Sequence, residues 1–132
     1  MTTKLGLTVT LKADFNTATT RVTEALRAEG FGVLTEIDVK ETMKKKLGVD
    51  FTPYKILGAC NPPLAHRALT LAPEVGLLLP CNVVVRQVAE NQTEISLIDP
   101  LGMMAFIDQP DLQVVAQEAR AKLDRVAASL AN

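Results

Sequence analysis

Apolar and polar residues alternate from Lys4 to Lys12, with Leu5, Leu7, Val9 and Leu11 on one side and Gly6, Thr8 and Thr10 on the other. That is the period of a strand buried on one face. At Asp14 the period changes. Phe15, Ala18, Val22, Ala25 and Leu26 recur every three or four residues, which predicts a helix over 14–29 with Asp14 as its cap and Gly30 at its end. Phe31, Val33, Leu34 and Ile37 make a second strand running into Asp38. Asp38 and Glu41 then form a pair resembling a capping box, which opens a short helix with Val39, Met43 and Leu47 on one stripe and Gly48 after it.

A third strand is expected over 54–60, with Tyr54, Ile56, Gly58 and Cys60 sharing a face. Asn61 is a good cap and Pro62 suits a first helical position, so a third helix should run over 62–71, with Leu64, Ala65, Ala68 and Leu69 inward. Pro73 and Gly76 end it. The valine-rich stretch 81–89 is a fourth strand, joined by the turn Glu90-Asn91-Gln92 to a fifth over 93–98. Asp99-Pro100-Leu101-Gly102 breaks that strand and leads into a loop holding Met103 and Met104. A last helix over 109–130 carries Leu112, Val115, Ala116, Ala119, Leu123, Val126, Ala127 and Leu130 at helical spacing.

This order predicts an α+β fold of one domain, 1–132, built on one antiparallel sheet. Strands two to five meander, the first strand pairs with the fifth, and both long helices cover one face. The two short inserted helices then belong at an edge or end of the sheet.

Charge narrows the function. Fourteen Lys and Arg balance fifteen Asp and Glu for a net charge of −1, which makes no field to gather phosphates, so no nucleic-acid partner is expected. The longest strongly apolar stretch, 69–79, contains Pro73 and Glu74 and is far shorter than the roughly 20 residues of a spanning helix, so no membrane is expected either. The start of the chain reads as a strand rather than a secretion signal, which points to the cytoplasm. Two cysteines make no disulfide framework and match no zinc-finger spacing. They are expected as thiols.

The chemistry gathers in two stretches, Gly58-Ala59-Cys60-Asn61-Pro62-Pro63-Leu64-Ala65-His66 and Pro80-Cys81-Asn82. In an antiparallel meander the end of the third strand lies beside the start of the fourth, which brings Cys60 near Cys81. His66 follows on the next helix. Cys60, His66 and Cys81 are therefore candidate ligands for a soft metal with an open position, or the makings of thiolate chemistry at a helix N-terminus, with Asn61 and Asn82 as further ligand-binding candidates. The plain alternative is that the cysteines pack as small hydrophobes and that the lone histidine sits at the surface. Lys44, Lys45 and Lys46 read as a solvated helix face, and Met103 and Met104 beside Phe106 as core or interface filling. Among the carboxylates Glu36, Asp38, Asp50 and Asp99, Asp38 already has a cap to make and Asp99 a turn. No hydrolase triad, phosphate loop or His-Glu-x-x-His motif is present.

Glu29-Gly30-Phe31-Gly32-Val33-Leu34, Tyr54-Lys55-Ile56-Leu57-Gly58, Asn61-Pro62, Leu78-Leu79-Pro80 and Asp99-Pro100 resemble the family called domain of unknown function 302, over nearly the whole chain. The Cys-Asn-Pro and Pro-Cys-Asn pattern is similar to one branch of it. The resemblance implies a TATA-binding-protein-like domain of β-α-β(4)-α order, commonly a homodimer, with no assigned activity or catalytic residue. The expected function is a small homodimeric binding or accessory protein with a ligand or metal pocket near Cys60, His66 and Cys81. A thiol redox enzyme or redox-responsive protein using Cys60 and Cys81 is one alternative, and a structural interaction module is another. The cofactor is left unassigned, and so is any catalysis. Leu69, Leu71, Val75, Leu77, Leu78 and Leu79 exceed what one helical stripe turns inward, so the dimer interface is expected there.

Overall fold

The structure is a computed structural model that describes residues 2–131. Strands β1 (Gly6–Leu11), β2 (Gly32–Asp38), β3 (Tyr54–Cys60), β4 (Cys81–Ala89) and β5 (Gln92–Ile98) form one antiparallel sheet in the order β1-β5-β4-β3-β2. Among the described residues five α-helices accompany it: α1 (Phe15–Ala28), α2 (Val39–Leu47), α3 (Pro62–Leu71), α4 (Pro100–Met104) and α5 (Pro110–Leu130). The α+β class, the meander and the pairing of first with fifth strand agree with the sequence pattern. No helix among the described residues is long and apolar enough to cross a membrane.

Alternate strand residues Leu7, Leu11, Leu57, Ala59, Val83, Val85, Ile95 and Leu97 meet Ala18, Val22 and Leu26 of α1 and Leu123, Val126 and Leu130 of α5 in one core. Both long helices therefore lie on the same face of the sheet. Each has a single apolar stripe, and one neighbour suffices to bury it. The caps are those the sequence offers. Asp14 accepts a hydrogen bond from the Thr17 N–H, which holds its carboxyl below the ordinary range, and Asp38 accepts one from Glu41 N–H.

A second core forms beyond the end of the sheet. Leu64 and Ala68 of α3 meet Val75, Met104 and the first half of α5, Leu112, Val115, Ala116 and Ala119. Helix α5 thus serves both cores, its N-terminal half in one and its C-terminal half in the other.

Three local expectations change. The segment expected to be a loop at 100–104 is the short helix α4, because Asp99 accepts from the Leu101 N–H and so caps it. Strand β2 is more exposed than its apolar residues suggest. The consecutive apolar pair Val33-Leu34 is absorbed by a bulge between Val33 and Thr35, which leaves Leu34 70% exposed. The third change concerns the expected interface. Residues 73–78 coil into a 3-10 helix, which buries Val75 and packs Leu71, Leu78 and Leu79 against the second core. Only Leu69 and Leu77 of the six leave large exposed surface, at 40% and 83%. The stretch mainly closes the end of the molecule, because the tight coil folds its leucines under α3 instead of displaying them.

Candidate functional site

Strand β3 delivers Ala59 and Cys60 to the sheet end, the buried Asn61 follows, and α3 leaves at once across that end. Asn61 Oδ1 accepts from the Leu64 N–H at 3.3 Å and caps α3, while its Nδ2 donates to the Glu29 carbonyl at 3.2 Å. Both ends of the amide are used within the chain. Glu29 in turn receives Arg125 Nε of α5 at 2.8 Å, so one residue ties the end of α1, the start of α3 and α5 together. The chain enters β4 through a cis Leu79–Pro80 bond.

Between the sheet end, α3, α4 and α5 lies a cavity of about 310 Å³. Its closed end is formed by Ala68, Pro100, Met104, Val115, Ala116 and Ala119, all buried. Its mouth is bordered by the more exposed Leu34, Thr35 and Leu69, with Pro80 beside them. No charged side chain lines it. The space arises because α3 and α5 face each other across alanines, and residues with no side chain beyond Cβ cannot fill the gap between two helix axes. Gly58 is part of the same construction. A Cβ there would run into Thr35 Oγ1 and lie 2.8 Å from Pro80 Cγ, so only glycine lets Thr35 and Pro80 close over the strand at the mouth.

Cys60, Asn61 and Cys81 all line this cavity. The two thiols are free, but they are not a matched pair. The register sets Cys81 opposite Ala59 and Cys60 opposite Gly32, and residues one step out of register emerge on opposite faces of a strand pair. Burial pushes the Cys81 thiol up to about 11, with a smaller contribution from Cys60. At neutral pH Cys81 keeps its proton.

His66 does not join them. Leu64 and Ala68 face inward, and a residue midway between two inward positions four apart points out of the helix, so His66 is exposed in a shallow groove with Arg67, Thr70 and Asp111. Asn82 is also turned away, because it follows the inward Cys81 on a strand and alternation sends it to the other face, opposite Gly58. Among the described residues no three His, Cys, Asp or Glu side chains stand where they could hold a metal ion together. The expected Cys60, His66 and Cys81 ligand set is therefore corrected: the two cysteines reach the cavity from opposite faces of the strand pair, and His66 lies apart from both on the outer side of α3. Asp99 is likewise structural, since it caps α4 and receives Arg120 Nη1 at 3.1 Å.

The residues missed in the sequence are Thr35 and the alanines of the closed end. Ala65, Ala68, Ala116 and Ala119 read correctly as inward positions, and a run of small residues on two inward stripes was the available signal. That the two stripes meet each other is a tertiary fact.

The family model described as "Domain of unknown function DUF302" matches residues 7–130. A crystal structure of an uncharacterized conserved DUF302 protein from Bacillus stearothermophilus is 36% identical, covers 96% of this chain and 95% of its own, and superposes with a TM-score of 0.82. No curated protein matches the chain.

Proposed function

This chain belongs to the DUF302 family of domains of unknown function, and we propose that it is a small binding or accessory protein, homodimeric and cytoplasmic, that holds an apolar small molecule in the cavity at the sheet end. The observation that carries this reading is the cavity itself, about 310 Å³ with no charge in its wall. Pockets of a few hundred Å³ with mostly apolar walls are what small-molecule sites look like, whereas well-packed interiors hold few voids larger than a water. The two-thiol redox alternative is weakened by Cys81, whose buried proton makes it a poor nucleophile and a poor thiolate leaving group at neutral pH. A purely structural module has no use for the void.

Naphthalene binding, followed by calorimetry, tests the reading. The wild type should take it up with one site per chain. Ala116→Leu puts three carbons into the closed end and should weaken uptake at least about tenfold while leaving the circular dichroism unchanged, since one methylene alone is worth about 0.8 kcal/mol and lost volume cannot be recovered elsewhere. Failure of the wild type to bind, or equal binding by the variant, would remove the cavity from function.

The homodimer rests on the family resemblance and on apolar side chains left at the surface, among them Leu5, Leu77 and Phe106. Light scattering at micromolar concentration should return twice the 14.2 kDa of the chain. A mass that stays at the single-chain value refutes it. The near-neutral charge supports the absence of a nucleic-acid partner, and free thiols suit a reducing compartment.

A further inference from the structure

We infer that the ligand is an uncharged molecule about two fused rings in size, with one hydroxyl or carbonyl group held at the mouth by the Thr35 hydroxyl. This rests on the cavity being a binding site, as proposed above, and adds size, charge and orientation to it.

Size follows from volume. An apolar cavity of about 150 Å³ takes up benzene, so about 310 Å³ has room for roughly two such rings. Charge follows from the wall. No lysine, arginine or histidine lines the cavity, and an ion drawn even partly out of water without a partner is costly, so a carboxylate or an ammonium finds no compensation there. The acids that neighbour lining residues in sequence are already paired, Glu36 with Lys55, Asp99 with Arg120 and Glu118 with Arg67.

Orientation follows from which polar groups are free. The Asn61 amide is spent on Leu64 and Glu29, and Cys81 offers only a buried thiol. Thr35 Oγ1 has no hydrogen-bond partner among the described residues, and it is packed beside Pro80 over Gly58 at the mouth. A hydroxyl both donates and accepts, so it serves an alcohol, a phenol or a carbonyl. The closed end, with Met104 and Ala116, offers only apolar contact. The ligand therefore enters with its apolar end first.

The test compares naphthalene, 2-naphthol and 2-naphthoate on the wild type and on Thr35→Val, by calorimetry at pH 7. The expected order is 2-naphthol tightest, by about threefold to tenfold over naphthalene as one neutral hydrogen bond allows, with 2-naphthoate weaker than 2-naphthol. In Thr35→Val the ratio of 2-naphthol to naphthalene affinity should fall to about one. If 2-naphthoate binds as tightly as 2-naphthol, or the naphthol advantage survives Thr35→Val, the inference is overturned while the cavity reading stands. If the wild type does not bind even naphthalene, both fall.

Discussion

Leu123→Ala should lower the free energy of unfolding by about 3 to 4 kcal/mol. Leu123 is fully buried and sits where α5 crosses from the second core to the first, among α1 and the inward residues of the sheet. Truncation removes the transfer free energy of its methyl groups and leaves a void that surrounding strands cannot collapse into, because they are held in register by their neighbours on both sides. Urea unfolding at fixed protein concentration measures it, as a lower midpoint with an unchanged slope. Val114→Ala on the same helix supplies the contrast. Val114 is well exposed, and its loss should fall within about 0.5 kcal/mol. If Leu123→Ala costs less than about 1 kcal/mol, α5 does not join the two cores as described.

The second large effect is a fall in stability at alkaline pH that Cys81 should carry. In the folded chain burial raises this thiol to about 11 from its ordinary 9.0, and a raised acid keeps a proton that the unfolded chain gives up. Its contribution is complete below pH 9.0 and is lost as pH rises toward about 11. A shift of this size corresponds to about 2 to 3 kcal/mol, since one unit is worth about 1.4. Alkaline pH acts on a protein in other ways as well, so the comparison is with Cys81→Ala, in which only this contribution is missing. Between pH 8.5 and 11 the wild type should lose about 2 kcal/mol more than the variant. Identical pH profiles would mean that Cys81 ionises freely, which would restore it as a reactive thiol and revive the redox alternative.

The cavity lies at the junction of the two cores, and that position links the two effects. Leu123 belongs to the first core, Ala116 and Ala119 to the second, and Cys81 stands in the strand that leads from one to the other. An occupant that binds only the folded state adds its own stabilisation by mass action. Its uptake should therefore be read against these baselines.

The order of elements and the pairing of the sheet were legible in the chain because both are local or follow from adjacency. Period two and period 3.6 mark strands and helices, Asp14, Asp38 and Asn61 mark helix starts, and short connections force neighbouring strands into a meander.

The site was legible only in part, because proximity along a chain is not convergence in space. Cys60, Asn61 and Cys81 do meet at one cavity, while His66 and Asn82 are each turned away by the same helical and strand periods that place their neighbours inward. The bulge at Val33 and Thr35 could not be read from an apolar pair, and it alone brings Thr35 over Gly58. The fate of residues 73–79 likewise depended on whether α3 and α5 left them room underneath. Periodicity reports which face of an element is buried, and it says nothing about what lies opposite. The void exists because the small faces of α3 and α5 oppose each other, and that opposition is decided only when the two helices pack.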